Sequence, residues 1–494
     1  MHRAIIVGTG FSGLAVAIQL KKAGIHDFVM LEKAEELGGT WRENTYPGAE
    51  CDIPSALYSY SFEPSPKWEY KWSHQPQILA YMRHCAQKYE LYPHVRFGTE
   101  MTGADFDEDQ GYWAVHTQAG EAYRGQSLIV AVGQLHHPRM PDIPGRETFE
   151  GPAWHSAQWD HSVEMAGKEV GVIGNAASAV QFIPQVAKAA KNLRVFQRSA
   201  NWMLPKQDRA YHEWEKELAR RFPFLLKVYR YQLWLKGGAL FSLMGQNRLF
   251  KKLAEKQCVN FIKKSIEDPA LQQKLIPDYP IGAKRVLFSD DYYPALNRDN
   301  VEVITDSIQE ITPRGILLQS GREVALDALV YGTGFVSNPF LMNLEVNGLG
   351  GKSIREAWAN GAEAYLGITT PDFPNFFMMY GPNTNLGHNS IIIMSECQAG
   401  YITQCIQTLK NQDLIYMNLK PEVQHAYTQE MQERLARSAW VEVKNSWYKS
   451  GDKITNNWPG RTMEYAARTR RVDHNAYELV PKRNLSLAHQ YQED

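Results

Sequence analysis

Polarity along the chain is organised as short, wholly apolar runs joined to longer apolar stretches through glycine-rich turns. Ala4-Ile5-Ile6-Val7 is followed by Gly8-Thr9-Gly10-Phe11-Ser12-Gly13 and then by the apolar stretch Leu14 to Leu20. A four-residue run without polar alternation predicts a strand buried on both faces, and the run behind the turn predicts a helix. Phe28 to Leu31 predicts a second strand, which ends in Glu32. The plan recurs at Val170 to Ile173, the turn Gly174 to Ala179, the helical stretch Ala177 to Ala187 and the strand around Leu193 to Phe196. Ser127 to Gly133 and Ala328 to Phe335 each read as an apolar strand running into small residues. Strand alternating with helix predicts an α/β fold with parallel sheets. Asp208 to Ile276 is helical in pattern and rich in aromatics, among them Phe222, Phe224, Tyr231 and Trp234. It is predicted to be a helical insertion packed on the second α/β unit. The interleaving of aromatic and basic residues leaves open a peripheral membrane contact or a substrate-access surface.

The length of 494 residues suits two or three domains. With 53 Lys plus Arg against 54 Asp plus Glu, nothing directs the whole protein to nucleic acid. The five cysteines contain no CxxC pair, which argues against a zinc ribbon and a disulfide-redox centre and suits a reducing cytoplasm. No HExxH or similar spacing occurs, so no metal is expected. Ala4 to Leu20 is uncharged but glycine-interrupted and shorter than the ~20 residues of a spanning helix. Phe373 to Ser395 is broken by Pro and Asn, so a soluble protein without transmembrane segment is expected.

The glycines carry the chemistry. Gly8 permits a tight turn, Gly10 lets a pyrophosphate approach the backbone, and Gly13 packs the helix on its strand. Glu32 stands where an acid binds ribose hydroxyls, and an acid there disfavours a 2′-phosphate, so the site should hold FAD or NAD. The following Gly38-Gly39-Thr40-Trp41 resembles the FAD-binding start of flavoproteins with two dinucleotide sites. The second turn reads Gly174-Asn175-Ala176-Ala177-Ser178-Ala179, with Ala176 in the second glycine position, which implies a more open approach to the pyrophosphate. Its second strand leads to Arg198 and Ser199, a cation and a hydroxyl suited to the 2′-phosphate of NADPH. The fold class is therefore α/β with two Rossmann-like dinucleotide-binding domains, for FAD and NADP, and a helical insertion.

Between the units lies Phe149-Glu150-Gly151-Pro152-Ala153-Trp154-His155-Ser156-Ala157-Gln158-Trp159-Asp160. It matches FxGxxxHxxxW followed by Asp or Pro, and on it the chain resembles the type I Baeyer–Villiger monooxygenases, class B flavoprotein monooxygenases of the flavin-containing monooxygenase superfamily. Tyr46-Pro47-Gly48-Ala49-Glu50-Cys51-Asp52 and Ala283-Lys284-Arg285 resemble further family segments, and Asn445-Ser446-Trp447-Tyr448 a C-terminal segment covering the nicotinamide nucleotide. The resemblance implies that Arg285 is the active-site arginine, that Asp52 orients it, that Lys284 is a second 2′-phosphate ligand, and that Phe149, Gly151, His155, Trp159 and Asp160 link the domains. It implies a C4a-peroxyflavin, formed from NADPH-reduced FAD and O2, that inserts oxygen next to a ketone carbonyl, with sulfoxidation as a side activity. The alternatives are a flavin-containing monooxygenase oxygenating nitrogen or sulfur, a disulfide reductase and a non-catalytic flavin protein. The expected division is an FAD-binding domain over 1–140 and 337–494 with the C-terminal segment, an NADP-binding domain over 141–205 and 279–336, and the insertion over 206–278.

Overall fold

The structure, a computed structural model, describes residues 1–241, 248–336, 340–341, 344–442, 449–450 and 453–482. Two sheets organise them. The larger runs in the order Glu345–Asn347, Met101–Asp107, Tyr112–Thr117, Ala122–Val130, His2–Val7, Phe28–Leu31 and Val95–Arg96, with Phe376–Met378 also paired to Ala122–Val130. At its centre His2–Val7 is parallel to both neighbours, Ala4 facing Phe28 on one side and Ser127 on the other. Ala4 and Ile6 join one core cluster, Ile5 and Val7 another, so both faces of the strand are covered. That is why the run shows no polar alternation. The uncharged stretch from Ala4 is thus a strand, a turn and the helix Phe11–Lys22. No helix among the described residues is long and apolar enough to cross a membrane.

The second sheet is wholly parallel, in the order Val301–Ile304, Asn192–Phe196, Glu169–Ile173, Ala328–Tyr331 and Ala153–His155. The chain passes between the sheets twice, and the two passages lie side by side. His137–Pro138 pairs antiparallel with Phe335–Val336, and Arg139 donates its backbone N–H to the Gly334 carbonyl at 2.8 Å.

The insertion departs from the expectation drawn from its aromatic pattern. Its helix Arg248–Ser265 does pack on the second unit, through Ile262 and then Ile266 just beyond its end. The helix Phe224–Leu240 instead packs on the first. Buried Arg230 donates from one terminal nitrogen to the carbonyls of Ala56, Leu57 and Ser59 at 2.7–3.1 Å, and Trp234 donates to Thr462. Three carbonyl partners, with Glu396 at 3.7 Å, offset the desolvation of the guanidinium. The insertion therefore bridges the two units.

Candidate active site

Gly8 adopts φ +99°, and a Cβ there would lie 2.7 Å from the Ala131 carbonyl oxygen. Only glycine turns the chain this tightly against the neighbouring strand. Gly10 and Gly39 face one another: a Cβ on Gly39 would stand 3.2 Å from the Gly10 Cα. The two bare backbones form a cradle that side chains would fill, which fits an incoming pyrophosphate at the start of Phe11–Lys22. Beside it Glu32 is buried, its carboxylate accepting from the Thr9 amide at 3.0 Å, the Thr9 hydroxyl at 2.6 Å and Arg42 at 3.0 Å. Thr40 and Trp41 open the short helix Thr40–Glu43, and Trp41 donates its indole N–H to the Tyr58 hydroxyl at 3.0 Å. These residues fit FAD.

The second turn repeats the geometry with different chemistry. Gly174 has φ +105°, and a Cβ there would collide with the Gly332 carbonyl. Ala176 caps the helix Ala177–Ala189, and its methyl is exposed. The substitution thus adds bulk at the mouth of the turn and leaves its packing intact. Asn175 ties the turn to the following strand by donating to Gln197 at 2.8 Å and to the Ser199 carbonyl at 3.0 Å. Arg198 is exposed, and Lys284 donates to the Ser199 hydroxyl at 3.4 Å. Burial, then the charge of Arg198, lowers the Lys284 pKa. Two cations and a hydroxyl converging here fit a dianion, the 2′-phosphate of NADPH.

Between the turns lies the pair expected to be catalytic. Arg285 donates its Nε–H to Asp52 at 2.7 Å, and a terminal nitrogen donates to the Leu386 carbonyl at 3.3 Å. Both side chains are partly buried. The loop carrying Asp52 is gripped by Gln181 of the second unit, whose Oε1 accepts from the Tyr46 hydroxyl at 2.8 Å and the Glu50 amide at 3.2 Å, while Nε2 donates to the Glu50 carbonyl at 3.0 Å. Gly48, at φ +79°, lets that loop run against the Gln181 backbone.

The linker motif forms the edge strand Ala153–His155 of the second sheet and what flanks it. Gly151 lies so close to the Asp327 carbonyl and the Phe149 ring that a Cβ would stand 2.7 and 2.8 Å from them. Buried His155 accepts from the Ala157 amide at 3.1 Å and packs on Phe335 of the returning crossing, ring centroids 5.7 Å apart; burial lowers its pKa. Trp159 packs edge-on against Trp154, and Asp160 accepts from Ser162 at 2.6 Å. Trp447 lies outside the described residues.

Two participants escaped the sequence reading. Arg42 is the counter-ion of Glu32. His388 is buried without a hydrogen-bond partner on either ring nitrogen, its ring 5.0 Å from Phe241. Burial, then the charges of Arg285 and Arg461, push its pKa down to about 4, so it is neutral. Among the described residues no group of three His, Cys, Asp or Glu could hold a metal ion.

Residues 5–214 match the family model described as pyridine nucleotide-disulphide oxidoreductase. The five cysteines are free. The chain is 41% identical to a Baeyer-Villiger monooxygenase of Pseudomonas aeruginosa, over 97% of this chain and 91% of that protein. It is 38% identical to a Baeyer-Villiger monooxygenase of Streptomyces coelicolor, over 97% and 92%. The structure superposes on OTEMO in complex with FAD and NADP with a TM-score of 0.88 at 30% identity, covering 97% of this chain and 99% of that one. The chain belongs to the Baeyer–Villiger monooxygenases, flavoprotein enzymes that use FAD, NADPH and O2 to insert an oxygen atom next to a ketone carbonyl.

Proposed function

We propose that Arg285 and Asp52 are the catalytic pair of this monooxygenase, and that the two glycine turns serve FAD and NADPH respectively. The observation that carries the reading is the 2.7 Å contact between Arg285 and Asp52, two residues far apart in sequence. Bound FAD, reduced by NADPH, supplies the activation of O2. The chain's own residues then bind, orient and stabilise charge. Gly10 and Gly39 cradle the FAD pyrophosphate on the turn that Gly8 makes and the helix that Gly13 seats, and Glu32, fixed by Thr9 and Arg42, receives the ribose hydroxyls. Arg198, Ser199 and Lys284 hold the 2′-phosphate, with Gly174, Ala176 and Ser178 at the turn. Arg285 stays protonated at any working pH, so its guanidinium is a fixed positive charge where negative charge builds up during oxygen transfer. Asp52 on Nε and the Leu386 carbonyl on a terminal nitrogen fix its plane.

His155, Phe149, Gly151, Trp159 and Asp160 act as the link between the domains and transfer no proton. The domain division is 1–140 with 337–494 for FAD, 141–205 with 279–336 for NADP, and the insertion 206–278. The substrate is a small organic ketone, with sulfides oxygenated as a side reaction. The test is product mass after turnover with NADPH on a panel of ketones, sulfides and amines. Esters or lactones from ketones support the reading; oxygenated amines with untouched ketones overturn it.

A further inference from the structure

The insertion carries a surface that the chemistry above does not use. Ten of the seventeen large apolar side chains exposed among the described residues fall between Trp214 and Leu253. On the helix Phe224–Leu240 they are Phe224, Val228, Tyr231 and Leu235, spaced four, three and four residues apart. That spacing makes one stripe along the helix. Arg230 and Trp234 occupy another face and hold the helix on the first unit. Phe224 is 59% exposed and Leu253, on the next helix, 62%. A soluble surface seldom leaves four large apolar groups in one stripe unless something covers them.

Charge identifies the cover. From Leu218 to Ala254 the chain has eight Lys or Arg and no Asp or Glu, in a protein of net charge −1. Arg220, Arg221, Lys227, Lys236 and Lys252 are exposed along this stretch. An apolar stripe flanked by cations, on helices too short and too polar to span, is the pattern of a surface lying in the headgroup region of an anionic bilayer.

The same helix reaches the active site. Leu235 of the stripe also lines a cavity of about 210 Å³ with Trp234, Thr462 and Met463. Two residues on, Gly237 lies against the His388 carbonyl, where a Cβ would be only 2.9 Å away, and Phe241 meets the His388 ring. Two residues before His388, the Leu386 carbonyl accepts from Arg285 at 3.3 Å. The helix that bears the stripe and lines the cavity thus ends on the segment whose Leu386 carbonyl accepts from Arg285.

We infer that this face docks on an anionic lipid bilayer and that the enzyme draws a lipophilic ketone from it; the second half rests on the ketone-oxidising reading above. Flotation of the FAD-loaded protein with vesicles decides the first half. Phosphatidylcholine vesicles carrying phosphatidylglycerol should capture the protein, and pure phosphatidylcholine should capture much less. The triple variant Phe224→Gln/Val228→Gln/Tyr231→Gln should partition at least about tenfold more weakly, with flavin content and melting temperature showing that it is folded. Lys227→Glu/Lys236→Glu should weaken capture by anionic vesicles without touching the stripe. No capture, capture indifferent to anionic lipid, or an unmodified oligomer that the triple variant dissociates would overturn the docking, the last by assigning the face to a second copy of this chain.

For the second half, the triple variant should lose rate on a long-chain methyl ketone supplied in vesicles while keeping its rate on a short, water-soluble ketone. An equal fall on both overturns delivery from the bilayer. Absence of turnover on every ketone would instead overturn the reading of the site, with flotation still deciding the surface.

Discussion

At Gly8 and at Gly174 the chain does the same thing: each glycine takes a positive φ, +99° and +105°, and sits against the carbonyl that ends a neighbouring strand. Past that point the two turns part. The first ends on an acid that is buried and already satisfied, Glu32 held by Thr9 and Arg42. The second ends on exposed Arg198, with Lys284 brought near it by way of Ser199. Buried charge that is paired beforehand suits a group that stays; converging cations at the surface suit an anion that arrives and leaves. On the proposed assignment, similar backbone plans serve a resident cofactor and an exchanging one, and the side chains decide which.

The strongest challenge to this division lies at the group between the turns. Arg285→Ala should keep its flavin and still be reduced by NADPH, yet ester formed per NADPH consumed should fall by ~10²–10³. Lysine should rescue poorly, because a compact ammonium cannot meet Asp52 as a planar fork. Unchanged ester yield would dismantle the assignment. Next, Glu32→Ala should cost about 1–3 kcal/mol of stability, since it leaves the buried Thr9 amide and hydroxyl without their acceptor, while Arg42 keeps Glu43 at 2.9 Å. Purified variant should carry less FAD than the unmodified protein; full flavin content with an unchanged melt would deny the first turn its resident character.

The second turn should respond in affinity alone. Arg198→Ala and Lys284→Ala should each raise KM for NADPH roughly tenfold to a hundredfold, the loss of a charge-assisted contact of ~1.5–3 kcal/mol. If both keep the NADPH-over-NADH preference of the unmodified enzyme, the pocket is misassigned. The smallest effect belongs to Ala176→Gly. Ala176 caps its helix, a position that accepts glycine better than alanine, so the change should leave stability nearly unaltered and KM for NADPH within a few-fold. A large gain in affinity would show that the methyl crowds the nucleotide.

Both turns were legible in the sequence because their requirements are local. A strand, a glycine at positive φ and a helix start follow one another in the chain, so the pattern from Ala4 to Leu20 carries its own geometry. The Asp52–Arg285 contact is not local, and it was legible only because each residue sits in a segment resembling a known family. Where neither aid applied, the reading stopped short. Arg230 gives no sign in the sequence that its partners are the carbonyls of Ala56, Leu57 and Ser59, because carbonyls belong to every residue. Aromatic content alone therefore assigned the insertion to one unit when it spans two. His388 likewise carries no local mark, since its character comes from burial beside Phe241 and from distant charges.

The Gln181 amide, with its three hydrogen bonds to Tyr46 and Glu50, limits how this enzyme can be recombined. A chimaera that swaps the second nucleotide unit for a relative's carries position 181 away and leaves positions 46 to 50 behind. The two cores are separate except where Tyr46 and Ala49 of that loop pack into the second one, so the exchange disturbs packing at the same place. Where the relative carries another residue at that position, the loop bearing Asp52 loses its anchor and activity should fall. Restoring Gln at that one position, with Gly48 retained, is the repair such a graft requires.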